Sequence, residues 1–300
     1  MRRLALGLAA TSVAGLVYAA RYERRSYRLR RFDMPVLARG SRPMRVLHIS
    51  DLHITPTQRD KVAWVRGLAS LEPDLVVNTG DNISHPEAVA TVLEAMEPLL
   101  LLPGVFVFGS NDYFAPQLKN PARYLLPIEK LDRSGHGADL PWKELRDELT
   151  GSGWLDLNNA RGELVVDGRR LVFAGVDDPH LDRDRLDEVA GPADPDADLT
   201  VGVAHAPYLR VLDAMHADGY RLLLAGHTHG GQLCLPGFGA LVTNCDLDRT
   251  RVKGMSRHPA TGGPDASWMH VSAGLGTSPY APARFACPPE VTLLTLLPAP

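Results

Sequence analysis

Five short apolar runs in this 300-residue chain each close on an acidic, amide or imidazole side chain. MRVLHIS (44–50) runs into Asp51-Leu52-His53, DLVVNTG (74–80) into Asp81, and GVFVFGS (104–110) into Asn111. DLTVGVA (198–204) ends at His205, and YRLLLAG (220–226) ends at His227-Thr228-His229. Runs this short, rich in Val and bounded by Gly or Asp, predict buried strands. Between them, RDKVAWVRGLASL (59–71) and HPEAVATVLEAMEPLLL (85–102) space their apolar residues at helical period, the second with Pro86 in its first turn. ELVVDGRRLVFAG (163–175) predicts a hairpin turning at Asp167-Gly168, and 268–276 and 289–297 predict two more strands. This mixture predicts an α/β fold in which two sheets form a sandwich flanked by helices. The proline-rich, aperiodic stretch 115–141 predicts an inserted loop or lid.

Composition narrows the partners. The balance of 32 Lys+Arg against 35 Asp+Glu argues against a bulk nucleic-acid binder. Three cysteines, Cys234, Cys245 and Cys287, make no close-spaced metal or disulfide pattern and read as packing thiols. Residues 4–20 carry no charge and follow Arg2-Arg3. As a helix they would span roughly 25 Å, marginal against a bilayer core of about 30 Å. Residues 1–20 are therefore expected to be a membrane anchor or a cleaved signal, and the basic segment 21–43 a juxtamembrane linker. Arginines after Ala20 favour a cytoplasmic catalytic part, whereas Arg2-Arg3 resembles an export signal. The remainder, 44–300, reads as one domain. Nothing in the sequence fixes an oligomeric state.

The strand-end side chains suit metal. Asp, Asn or His at the C-terminal ends of α/β strands stand where such sheets hold ligands. Imidazole and carboxylate without thiolate point to Mn, Fe or Zn in a partly open catalytic site. Seven donors exceed the needs of one tetrahedral ion, and with a bridging carboxylate they would serve two ions about 3.5–4 Å apart.

In these blocks the chain resembles the calcineurin-like metallophosphoesterase superfamily. The blocks are Asp51-Leu52-His53, Gly80-Asp81, the altered Gly109-Ser110-Asn111-Asp112, His205, and Gly226-His227-Thr228-His229. The tail CPPEVTLLTL, with the apolar N-terminus, resembles a bacterial branch of membrane- or wall-associated phosphodiesterases. The resemblance implies a four-layer α/β/β/α sandwich holding two divalent ions, with Mn preferred over Fe or Zn. It implies that Asp51, His53 and His229 hold one ion, that Asp81 bridges, and that Asn111, His205 and His227 hold the other. It further implies in-line attack on phosphorus by a hydroxide, without a phosphoenzyme. The expected activity is a phosphodiesterase acting on a lipid-linked or nucleotide-linked ester. The alternative is a non-catalytic scaffold of the same fold.

Two departures qualify this. The family's histidine after the Asn ligand, thought to protonate the leaving group, is here Asp112. A carboxyl could serve only with its pKa raised far above about 4, and nearby cations push it the other way. Asp112 is thus either an unusual acid or an orienting group, with His85, His136 and His180 as alternative acids. Ser84 stands where the purple acid phosphatases carry a tyrosine, which argues against a tyrosinate-bound ferric ion. Asp178 and His180 are candidate substrate contacts. So is Arg284, which could neutralise a phosphate or stand on the surface.

Overall fold

The computed structural model describes residues 14–118 and 136–300. Its layering is set by strands buried on both faces. In β2 (Met44–Ile49), Met44 and Val46 enter one apolar cluster while Leu47 and Ile49 enter another. A strand buried on both faces has to lie between two layers.

The other strands are β1 (Arg28–Leu37), β3 (Leu75–Asn78), β4 (Gly104–Phe106), β5 (Leu155–Asp156), β6 (Ala160–Val166), β7 (Arg169–Gly175) and β8 (Leu199–Val203). They continue with β9 (Leu222–Ala225), β10 (Cys234–Leu235), β11 (Gly239–Ala240), β12 (Gly254–His258), β13 (Ser267–Val271) and β14 (Glu290–Pro298). One sheet has the order β1-β14-β2-β3-β4-β5, and the other β12-β13-β9-β8-β7-β6. Val46, Val77 and Val105 of the first sheet pack against Phe173, Val201 and Leu224 of the second.

Helices α1 (Arg59–Gly67), α2 (Val89–Met96) and α3 (Trp142–Gly151) cover the first sheet's outer face through Val65, Val92 and Leu145. Helix α4 (Leu209–Ala217) covers the second through Val211, Leu212 and Met215. The four-layer α/β/β/α sandwich is therefore as expected. Strands β2, β3 and β4 run parallel, as do β8 and β9, so within each sheet the C-terminal ends gather on one side. All three cysteines are buried and unpaired.

The basic segment 21–43 is not a linker, contrary to expectation. Residues 28–37 form β1, an edge strand pairing in parallel with β14 along Arg28–Leu37. Its Met34, Val36 and Leu37 are buried in the inter-sheet core, while arginines occupy its earlier, more open part. Charge on an edge strand blocks pairing with other chains, and it also disguises the strand in the sequence. Upstream, Ala19 O accepts from Arg284 N, and the buried Glu23 carboxylate accepts from Ala286 N and Cys287 N (2.7 Å). The end of the expected anchor is thus bonded to the domain. Most of that anchor, residues 1–13, lies outside the described residues, as do 119–135 of the expected lid. Among the described residues no helix is long and apolar enough to cross a membrane.

Candidate metal centre

Every strand-end candidate leaves its sheet at the same cleft. Asp51 and His53 follow β2, Asp81 follows β3, and Asn111 stands in a single helical turn, Ser110–Tyr113, after β4. His205 follows β8, and His227 and His229 follow β9. Donor atoms of Asp51, His53 and His229 lie within 4.8 Å of one another, as do those of Asp51, Asp81 and His205. Asp51 is therefore common to two trios able to hold a metal ion. His53 Nε2 lies 3.4 Å from Asp81 Oδ2, and His205 Nε2 lies 3.6 Å from Asp81 Oδ1. Asp81 thus stands between imidazoles from both sheets. Asn111 closes on it, its backbone N donating to Oδ1 and its Nδ2 to Oδ2, both at 2.7 Å. His227 Nδ1 completes the group 3.3 Å from His205 Nε2.

Outer hydrogen bonds aim the rings. His205 Nδ1 donates to Thr79 O (2.6 Å), which turns Nε2 toward Asp81. His227 Nε2 donates to Asn244 O (3.1 Å), so Nδ1 faces inward, and His53 Nδ1 is held by Ser84 Oγ (2.9 Å), so Nε2 does. The Thr79 carbonyl sets the tautomer of His205, while Ser84 Oγ and Asn244, each able to donate or accept, hold the orientation of His53 and His227.

The backbone is strained where the side chains converge. Asp51, His53, Asp81, His227 and His229 all have φ between 43° and 68°. The left-handed region costs an L-residue roughly 1–2 kcal/mol, and clusters of such residues mark functional sites. Room is kept by Gly109 and Gly226, where a Cβ would strike Asp81 and His205, and Ser50 and Asp51, respectively.

Charge in the cluster is unbalanced. Asp51 and Asp81 are buried, and among the described residues neither pairs with Lys or Arg. Burial, then the charge of Asp81, lifts Asp51 to about 6. Burial also opposes the Asp81 carboxylate, but His205, His53 and the Asn111 bonds prevail and hold it below its usual range. Burial opposes protonation of His205, yet Asp81, Asp178 and Asp51 outweigh it and lift His205 to about 9. A proton on His205 therefore supplies positive charge that divalent cations would supply better. Buried carboxylates that no Lys or Arg pairs with among the described residues, set among imidazoles, fit such ions.

The remaining candidates separate clearly. Asp112 is wholly buried, and its carboxylate accepts from Asp81 N and Asn82 N at 2.7 Å and from Gly109 N at 3.0 Å. Burial, then Asp81, raises it to about 7, with two of those backbone donors, Gly109 N and Asn82 N, opposing. Its place is beneath the cluster, tying the Asp81 loop to the Asn111 turn. Arg284 is neither a surface arginine nor open to a phosphate. It is 0% exposed, and its guanidinium donates to the carbonyls of His229, Ala273, Gly274 and Gly276. Those carbonyls face inward and need a donor that water cannot supply.

His180, half-buried, lies with its ring 4.5 Å from that of His227, and its Nδ1 meets Tyr208 Oη at 3.1 Å. Asp178 accepts from His180 N through Oδ1, while its buried Oδ2 has no partner. Burial raises Asp178 to about 7, with His205 pulling the other way. His85 Nδ1 accepts from Glu87 N, and the exposed His136 stacks on Phe114. Among the described residues, neither touches the cluster. Thr79 and Asn244 carry no sequence signal of their own, nor does Ser50, whose Oγ donates to Asp51 Oδ2 at 2.6 Å, because each acts by holding a ligand candidate rather than by being one.

The profile of a family described as calcineurin-like phosphoesterase matches residues 44–231. YpbG, an uncharacterized protein of Bacillus subtilis (strain 168), is 27% identical over 260 residues, 86% of this chain and 83% of its own. YkuE, an uncharacterized metallophosphoesterase of the same organism, is 26% identical over 266 residues, 87% and 82% of the two chains. Among solved structures, a 5′-nucleotidase precursor from Thermus thermophilus aligns at 13% identity with a TM-score of 0.43. The alignment covers 85% of this chain but spans only 55% of the nucleotidase. With the matched segment containing every one of the converging strand-end side chains, this chain belongs to the calcineurin-like phosphoesterase family.

Proposed function

We propose that this protein hydrolyses phosphodiesters at a dinuclear divalent-metal centre, with Mn as the preferred ion. The observation that supports it most is the adjacency of two metal-capable trios, Asp51-His53-His229 and Asp51-Asp81-His205, with Asp81 reaching His53 through one oxygen and His205 through the other. Asn111 adds an amide oxygen to carboxylates and imidazoles, a donor set that suits Mn at least as well as Zn. When bound, the two cations supply positive charge that lowers the pKa of water and polarises the phosphoryl oxygens.

The protein's own groups do the rest. Asp51, His53 and His229 form one half of the site, and His205, His227 and Asn111 the other, with Asp81 between. Thr79 O, Asn244 O and Ser84 Oγ hold the rings in register for in-line attack. Asp112 positions Asp81 and Asn111 and has no access to a leaving group. His180, beside His227 and half open to solvent, is the group placed to protonate the leaving oxygen. Among the described residues no Lys or Arg pairs with Asp51 or Asp81, and Arg284, whose Nη2 reaches His229 Nδ1 at 3.3 Å, is committed to backbone carbonyls, which favours the singly charged diester. All seven donor positions are kept, which speaks against a scaffold role.

The test is hydrolysis by the purified full chain of bis(p-nitrophenyl) phosphate against p-nitrophenyl phosphate with Mn, Fe or Zn. A higher kcat/KM on the diester is expected. Inertness toward both esters with every metal would refute the proposal.

A further inference from the structure

A second, basic cavity adjoins the metal centre. It measures about 340 Å³ and is lined by Arg24, Arg25, Arg59 and Lys61 together with Thr55 and Gly276. That volume falls within the range of ligand clefts, roughly 300–1,000 Å³. Asp60 is the one carboxylate in its wall, against four cationic side chains.

Most of this positive charge is uncompensated. Arg59 is bound to Glu94 at 2.7 Å, but among the described residues Arg24, Arg25 and Lys61 have no ion-pair partner. Arg24 Nε is buried with no hydrogen-bond partner. Lys61 is 4% exposed, and its Nζ is held by a single carbonyl, Leu52 O, at 2.6 Å. Burial, then the charges of Arg284 and Arg24, pushes this amine down to about 7. Lys61 is buried, Arg24 is half-buried, and Arg25 and Arg59 are exposed, so the cavity presents unpaired positive charge from its floor to its mouth, a setting that suits an anion. Guanidinium forks and an ammonium point charge are the groups that bind phosphate.

The cavity lies one residue's thickness from the metal centre. Lys61 grips the carbonyl of Leu52, the residue between Asp51 and His53, and Thr55 stands two positions beyond His53. Gly276 N donates to Asp51 O at 2.6 Å, and a Cβ on Gly276 would come within 2.7 Å of both Asp51 O and His53 Cβ. The N-terminal basic turn is fixed in place here by Glu23, which accepts from Ala286 N and Cys287 N.

We infer that this cavity is a subsite for a second phosphate group, carried by a substrate whose scissile phosphate sits at the metal centre. The inference rests on the phosphohydrolase reading for the scissile group, but not for the cavity's own affinity. It names the substrate class as phosphoesters bearing a second phosphate, as both soluble nucleotides and lipid headgroups can.

The experiment uses the full chain, with Arg24→Gln/Arg25→Gln and Arg25→Glu as variants. The latter lies at an exposed position and guards against a folding artefact. In the metal-stripped protein, inorganic phosphate is titrated calorimetrically, since the bare carboxylate cluster repels anions. With Mn restored, kcat/KM is compared for thymidine 5′-(p-nitrophenyl phosphate) with and without a 3′-phosphate. Wild type should bind phosphate and prefer the 3′-phosphorylated ester, and the variants should lose about ten-fold in both affinity and preference. Phosphatidylcholine vesicles with and without phosphatidic acid, challenged with free phosphate, separate a lipid-borne group from a soluble one. Dependence on Arg24 and Arg25 in either arm upholds the subsite. Phosphate binding that needs these arginines in a protein inert toward every ester would remove the hydrolase reading and leave the subsite standing. Equal behaviour of wild type and variants toward phosphate, the 3′-phosphorylated ester and phosphatidic acid would overturn it.

Discussion

His48 and His53 are neighbours in sequence and both are buried, yet they belong to different chemistry. His48 lies in the regular part of β2 and faces the second sheet, where its Nδ1 meets His270 Nδ1 at 2.8 Å and its Nε2 meets Thr79 Oγ1 at 3.0 Å. Among the described residues no carboxylate joins them. Burial alone drives His270 to about 3 and, with help from His270, drives His48 well below the usual range. This pair stays neutral, joined through its Nδ1 atoms, while His270 Nε2 is buried with no hydrogen-bond partner among the described residues. His53, past the strand end at φ 43°, meets Asp81 and His229 instead. A buried imidazole becomes a ligand candidate when carboxylates share its pocket and the chain has left the sheet's regular geometry to bring them together. Inside the sheet it is packing with a hydrogen bond.

The largest expected break in this contrast is Asp81→Asn, which removes the carboxylate between the imidazoles. Hydrolysis should fall roughly 10³-fold, the scale of losing one electrostatic element of a site, as read by kcat on the diester. Next, Asp112→Ala would leave the amides of Gly109, Asp81 and Asn82 unpaired. Denaturant melts should show a loss of about 3–5 kcal/mol, as when one side of a buried charged network is removed. Ser84→Ala frees His53 Nδ1 and should weaken metal affinity about 10- to 100-fold in a competitive chelator titration, with little loss of stability.

The smallest effect belongs to the inner pair. In the unfolded chain each of these histidines takes a proton near pH 6.5. In the folded protein His270 does so only at about 3, and His48 also far below the ordinary value. Acid therefore favours the unfolded state. The stability these groups contribute is complete above about pH 6.5 and is lost as pH falls toward 3, at no more than about 1.4 kcal/mol per unit and group. His270→Phe should flatten the stability–pH curve of the metal-free protein by one group's share. An unchanged slope would show that the pair is not buried neutral.

Much of this is legible in the sequence because the ligand candidates are chemically unusual at strand ends. Asp51, His53, Asp81, Asn111, His205, His227 and His229 announce themselves by type and position, and the structure brings all of them together. The hairpin at Asp167-Gly168 and strands β2, β3, β8 and β9 follow from period and turn chemistry. Strand β1 is hidden because an edge strand carries arginine where a central one carries valine. Helix α3 follows the proline-rich insert, which masks its start. Arg284 and Asp112 escape a sequence reading for one reason: a sequence does not show whether a charged side chain faces solvent or a ring of backbone groups. His48 and His53 look alike in the same way until their neighbours from the second sheet are known.

On the proposed function the strand-end cluster, and not the inner pair, binds metal. Elemental analysis of the purified full chain after Mn loading and desalting tests it directly, run beside Asp81→Asn and His270→Phe. Wild type and His270→Phe should carry about two ions per chain, and Asp81→Asn clearly fewer. Metal-free wild type, or metal lost with His270→Phe but retained with Asp81→Asn, would contradict it.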